Sequence, residues 1–222
     1  DGPLDAELAP ASLYEPLRQR WPEIKARASA EATRALELSS DDATRRILLR
    51  SAELDAIQLA LASAVAPPAT DLSVVYLPGL DIAQHALLGN GQAGLSDAQT
   101  GLSPSALAAR LEGLQAYYAA LDRLLAPLLT PGPDELLMLV TEPGRVGGDG
   151  RAMMSVNGPA ARSHQGSVSV ATAIAPTVLY ALGVPVSRDL PSSPLLELFD
   201  PRFAARYPLR YVGTYGRPSA VP

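Results

Sequence analysis

The feature that most constrains this chain is a six-residue apolar run set between two breakers. Pro67-Pro68 ends a long helical pattern, Leu72-Ser-Val-Val-Tyr-Leu77 follows, and Pro78-Gly79 closes it. Proline has no N–H for a helix or a ladder, so the run cannot extend at either flank. Its β-branched and aromatic content predicts a short strand over 72–77, buried on both faces.

Around that run the periodicity is helical. From Leu13 to about Ala66 apolar residues recur at helical spacing, first as Leu17, Trp21, Ile24, Ala28, Ala32 and Leu36. A second stretch, 41–65, carries Ile47, Leu48, Ala52, Leu54, Ile57, Leu61 and Val65, which predicts a helix with one apolar face. Ser40-Asp41-Asp42 supplies its N-cap and early negative charge. After the Gly- and Ser-rich loop 90–104, Ser103-Pro104 opens a helix over 105–129 with Leu111, Leu114, Tyr118, Leu121, Leu125 and Leu128 inward. Further strands are predicted at 136–141 and 151–157, separated by a Gly-rich connection, and further helices at 172–182 and 194–199. Strands of this kind alternating with helices predict one α/β domain over 1–222, with a mostly parallel sheet between two helical layers. Residues 1–70 form its mainly helical lead-in and 183–222 its Pro-rich tail.

Composition removes several functions. Net charge is −5, and the basic residues, with Lys25 the single lysine, form no stripe, so a nucleic-acid duplex finds little to hold. The absence of cysteine excludes disulfides, thiolate metal sites and a Cys nucleophile. No apolar stretch approaches the roughly 20 residues that a bilayer requires. A chain that starts at Asp1 with no signal-type segment reads as a piece of something longer, its compartment open between cytoplasm and periplasm.

The residues with chemical potential are few. Asp81 and His85 stand four apart just beyond the predicted strand 72–77, on one face of a starting helix. That spacing suits a divalent cation, and equally a helix-start carboxylate with an incidental histidine. Ligands in open α/β sheets gather beyond the carboxyl ends of strands, which favours the first alternative. Gly147-Gly-Asp-Gly150 lacks the Lys-Ser/Thr of a phosphate loop, and Arg145 and Arg151 read as solvated loop residues. Asp122 reads as a solvent-facing charge, and Tyr117, Tyr118 and Tyr180 as core packing.

The order of these segments resembles the carboxyl-terminal half of the alkaline phosphatase superfamily, in its type I phosphodiesterase/nucleotide pyrophosphatase branch. The resemblance spans roughly 70–200 and is most specific at Ile174-Ala-Pro-Thr-Val-Leu-Tyr-Ala-Leu-Gly-Val-Pro185. It implies a three-layer α/β/α fold and a two-zinc site in which Asp81 and His85 match one Asp-x-x-x-His ligand pair. The family's Asp-His-Gly tripeptide aligns with Glu142-Pro143-Gly144, so Glu142 keeps a carboxylate while Pro143 has no ligating atom. A further family histidine is missing from the approach to the third strand, Gly150-Arg-Ala-Met-Met154. His164 is either a loop histidine or a substitute for it. The family's Thr or Ser nucleophile belongs to the half that this chain lacks, and no nucleophile is assigned.

Three readings follow. The first is a catalytically degenerate phosphodiesterase-like domain with a scaffold or binding role, and weak or no zinc binding through Asp81, His85 and Glu142. The second is a metal-dependent phosphodiesterase or phosphatase whose nucleophile half lies outside the chain. The third is an unrelated α/β interaction domain. An incomplete sheet of this family would leave an apolar edge, so the partner expected is the missing amino-terminal half or another protein chain.

Overall fold

The computed structural model describes residues 10–36, 42–65, 70–88, 103–141, 153–162 and 171–216. Ser40-Asp41, Pro67-Pro68, most of the loop 90–104 and the stretch 142–150 lie outside the described residues. The chain divides into two compact units, Asp1–Pro127 and Leu128–Pro222.

The first unit is helical. It contains α1 (Tyr14–Ala35), α2 (Asp42–Val65), α3 (Gly79–Leu88) and α4 (Pro104–Leu125). The α4 start is the one its sequence predicts: the Ser103 hydroxyl accepts from the Ala106 N–H at 3.2 Å, with Pro104 in the first turn. Small residues dominate the core. Ala28, Ala32 and Ala35 of α1 join Ala52 and Ala56 of α2, Ala83 of α3 and Ala120 of α4, with Leu48, Leu87, Leu114 and Tyr117 filling the remaining space. Two helix faces differ from expectation. In α4 the buried positions are Gly113, Leu114, Tyr117 and Ala120, while Leu111 and Tyr118 are exposed. In α2 the buried line runs through Thr44, Leu48, Ser51, Ala52, Asp55, Ala56 and Ala60. Where alanine supplies the contact, large apolar residues no longer mark the inward face, because close approach of backbones selects for small side chains there.

The second unit is mixed. It contains β1 (Leu137–Val140), β2 (Met154–Asn157), α5 (Ile174–Ala181), β3 (Val186–Ser187), α6 (Pro201–Arg206) and β4 (Tyr211–Val212). β1 and β2 pair antiparallel, Leu137 opposite Asn157 and Val140 opposite Met154, and β3 pairs with β4 in parallel. An aromatic group closes the core: Tyr180 meets Phe199 edge-on at 4.9 Å, and Phe199 stacks on Phe203 at 5.4 Å. The Ala-Pro-Thr segment has a structural use. Pro176 and Thr177 are buried, and the Thr177 hydroxyl donates to the Ala173 carbonyl at 2.6 Å while accepting from the Leu195 N–H at 3.0 Å. The Leu-Gly-Val exit is a helix stop. Gly183 has φ +70°, its N–H donates to the Tyr180 carbonyl, and the Val184 N–H reaches back to Leu179.

These observations correct the fold expected from sequence. The described residues form two two-stranded sheets, and the three-layer α/β/α arrangement with a mostly parallel sheet, as in alkaline phosphatase, is not formed. Two of the three expected strand regions become β1 and β2, but they run antiparallel to each other. The third, 72–77, has no regular secondary structure. A ladder needs a neighbour at about 4.8 Å, and among the described residues none lies beside 72–77. The helices predicted at 172–182 and 194–199 appear as α5 preceded by a 3-10 turn, and as the single 3-10 turn Leu196–Leu198.

Candidate functional site

The site expected from sequence lies at the start of α3, and its structure begins one layer below the surface. Asp55 of α2 is fully buried. One carboxylate oxygen accepts from the Gly79 N–H at 2.8 Å, and the other accepts from the Tyr117 hydroxyl at 2.7 Å. The first residue of α3 thus has its N–H, one that no earlier turn can satisfy, bonded to a carboxylate from a different helix. Burial pushes the Asp55 carboxyl up from its ordinary value, and the bonds from Tyr117 and Gly79 oppose that shift. Burial and the neighbouring Asp55 carboxyl likewise raise the Tyr117 phenol.

Glycine is required at position 79 by close approach. A Cβ there would stand 2.1 Å from the Tyr117 hydroxyl oxygen and 2.5 Å from an Asp55 oxygen. The Pro-Gly that ends the apolar run is therefore a seat for a helix end on a buried carboxylate. Ser51, one turn before Asp55, has a buried hydroxyl with no hydrogen-bond partner among the described residues.

On this seat α3 carries Asp81 in its first turn and His85 in its last, both exposed. The structure brings these two together on one helix, as their spacing predicts. Glu142, Pro143, Arg145, Arg151 and His164 lie outside the described residues. Among the described residues no group of three or more His, Asp or Glu side chains assembles that could hold a metal. Asp81 and His85 supply two donors, and a tetrahedral zinc site wants four. The far end of α3 is fixed as well: the Arg110 guanidinium donates to the Leu87 carbonyl. Pockets open to solvent lie elsewhere among the described residues. One of about 80 Å³ lies among Arg20, Glu23 and Arg27 of α1 and Ala60 of α2, and one of about 260 Å³ lies beside Arg188, whose guanidinium sits 4.9 Å above the Tyr211 ring. Neither includes Asp81 or His85.

Immediately before α3 lies the largest departure from expectation. Leu72, Val74 and Tyr76 are 50%, 83% and 62% exposed, while Val75 and Leu77 between them are half-buried. Ser73 is exposed as well, so exposure alternates only from Val74 to Leu77. Among the described residues, no backbone N–H or C=O of residues 72–77 has a hydrogen-bond partner.

Asp55 was not visible in the sequence reading, although a signal for it exists. It shares one helical face with Leu48, Ser51, Ala52 and Ala56, and a carboxylate on a small-residue face is one that burial must satisfy. No helix among the described residues is long and apolar enough to cross a membrane. Comparison with protein-family models, with curated proteins and with solved structures returned no match to this chain.

Proposed function

We propose that this chain binds or scaffolds another polypeptide, and that any catalytic site it resembles is degenerate. The observation that carries this reading is the exposed, unpaired apolar segment 72–77, anchored at Gly79 and leading directly into the helix with Asp81 and His85. Exposed apolar segments of this kind in a chain of net charge −5 are costly in water, and they persist where a partner covers them. The resemblance of 70–200 to the type I phosphodiesterase/nucleotide pyrophosphatase branch supports descent from a metal hydrolase. Pro143 in place of a histidine ligand supports loss of its two-zinc chemistry.

A second reading keeps catalysis. Asp81 and His85 are both exposed on one helix, and a phosphodiesterase could complete the site and supply its nucleophile from a segment outside this chain. Zinc titration by calorimetry and hydrolysis of bis-nitrophenyl phosphate by the full chain separate the two. The binding reading expects zinc affinity that is weak or absent and no hydrolysis above buffer. Tight zinc binding that His85→Ala abolishes, together with turnover, would replace it by the second reading.

A further inference from the structure

We propose that the pocket beside Arg188 and Tyr211, in the second unit, binds a small phosphate monoester through its oxyanion. The pocket uses neither residues 72–77 nor the Asp81 and His85 pair, so it stands independently of the reading above. Ser187, Arg188, Leu190, Ser192, Ser193 and Tyr211 are among the residues that line it. Its wall is fixed at both ends. The Arg188 N–H donates to the Val212 carbonyl at 3.0 Å, beside the parallel pair of β3 and β4. Seven residues later the Leu195 N–H donates to the buried Thr177 hydroxyl at 3.0 Å.

Three observations point to an anion. The first is a set of donors without acceptors. The Arg188 guanidinium lies over the Tyr211 ring and, among the described residues, makes no hydrogen bond and pairs with no carboxylate. The hydroxyls of Ser193 and Tyr211 and the N–H groups of Ser192 and Ser193 also have no partner among the described residues. The neighbouring hydroxyls differ: Ser192 is engaged with Thr172 at 2.5 Å, and Ser187 donates to the Gly213 carbonyl at 3.4 Å.

The second observation is charge. No Asp or Glu lines the pocket, and Arg188 is its one charged lining residue. Asp189, next in sequence, is exposed and stands outside the lining. The whole chain has net charge −5, yet the second unit holds eight Arg against seven Asp and Glu, so an anion is repelled less here than at the first unit. The third is size. About 260 Å³ is far above the roughly 10–15 Å³ that one water needs, which admits an oxyanion and part of its substituent. A carboxylate presents two oxygens in one plane, whereas a phosphate monoester presents three terminal oxygens that can reach a guanidinium, hydroxyls and backbone N–H groups together. Leu190 and the Tyr211 ring offer the substituent an apolar contact.

The test is calorimetric titration of the full 222-residue chain in EDTA with phenyl phosphate, inorganic phosphate and benzoate. Phenyl phosphate is expected to bind saturably at one site, more weakly as salt rises. Inorganic phosphate lacks the ring contact and benzoate the third oxygen, and each is expected to bind at least about fivefold more weakly. Arg188→Gln is expected to weaken phenyl phosphate by about tenfold or more, and Arg188→Lys by less, since lysine keeps the charge without the fork. Ser193→Ala removes a hydroxyl with no partner among the described residues, so it leaves circular dichroism unchanged and should weaken binding about threefold.

Absence of saturable binding overturns the proposal, as does equal affinity in the wild type and Ser193→Ala, which decides the matter even where Arg188→Gln disturbs the fold. Benzoate binding as tightly as phenyl phosphate overturns it in favour of a carboxylate ligand, and inorganic phosphate binding as tightly overturns the monoester. His85→Ala is expected to bind as the wild type does. Loss of binding in that variant would place the phosphate at α3 and overturn the site at Arg188.

Discussion

Residues 72–77 and the β1–β2 pair began with the same kind of sequence and ended differently. Leu-Ser-Val-Val-Tyr-Leu and Leu-Met-Leu-Val are both short apolar runs followed in sequence by Pro-Gly. Leu137–Val140 is held along its length by a ladder to Met154–Asn157 and packs Met138 against the aromatic core of its unit. Residues 72–77 lead into the seat of Gly79 on Asp55 and turn Val74 and Tyr76 to solvent. Strand propensity describes fit to a pleated, half-buried surface, so it yields a strand only where that surface exists. One run has such a surface within its own unit. The other has no regular secondary structure and, among the described residues, no ladder.

The largest expected effect breaks the anchor at Gly79. Gly79→Ala places a methyl group inside contact distance of the Tyr117 hydroxyl, an Asp55 oxygen and the Ser51 carbonyl. We expect it to cost the first unit about 3 kcal/mol. Trp21 is the only tryptophan and lies in α1, so denaturant unfolding followed by its fluorescence reports this unit. A cost below about 1 kcal/mol would mean that α3 is not seated on Asp55.

Next comes a paired proline test of the comparison itself. The Thr141 N–H donates to the Met153 carbonyl, and alternation along the ladder puts the next bonded pair at Leu139 and Ser155. Ser155→Pro deletes a ladder donor at an exposed side chain and should cost the second unit roughly 2–3 kcal/mol. Val74→Pro deletes an N–H that bonds to nothing among the described residues and should change the stability of the first unit by less than about 0.5 kcal/mol. Hydrogen exchange resolves both, with amide protection expected in β1 and β2 and little in 72–77. Equal proline costs would erase the distinction between the two regions.

A third test sharpens the account of the anchor. Asp55→Ala strands the Gly79 N–H and the Tyr117 hydroxyl in the core and should cost about 2–3 kcal/mol. Asp55→Asn can accept from Gly79 through Oδ1 and donate to the Tyr117 oxygen through Nδ2, so its cost at neutral pH should fall below about 1 kcal/mol. The Ala and Asn variants should therefore separate clearly in the Trp21 unfolding midpoint.

The smallest effect is the pH dependence, whose sign follows from burial. The folded carboxyl of Asp55 is raised above its unfolded value, so the folded state holds its proton to higher pH. Its contribution is fully present below the unfolded value near 4 and is lost as pH rises through the raised folded value. The wild-type first unit should lose stability over that rise and Asp55→Asn should not. A wild-type profile that climbs in this window would show that the Gly79 and Tyr117 bonds outweigh desolvation.

How much was legible in advance divides along physical lines. The longer helices were, because their signals are local: the Ser103-Pro104 start and the apolar periodicity of α2 and α4 each act within a few residues, whereas the short helix expected at 194–199 is a 3-10 turn and α6 was not expected. The Asp81 and His85 pair was legible as neighbours on one helix for the same reason. The precise buried face of α4 was not, since Tyr117 and Tyr118 are adjacent and only a partner helix chooses between them. Asp55 was hidden because its two donors, Gly79 and Tyr117, stand 24 and 62 residues away.

The sequence by itself determined the long helices of the first unit, the apolar runs between breakers, and that a carboxylate and an imidazole share one helix, α3. Only the tertiary structure decided which extended segments became strands, in which direction they paired, and which carboxylate was buried. The reason is the range of the forces. Caps, breakers and propensities are satisfied within a turn or two of the chain. Ladder bonds and burial require a second surface brought from a distance, and the chain supplies one to β1 while leaving residues 72–77 without one among the described residues.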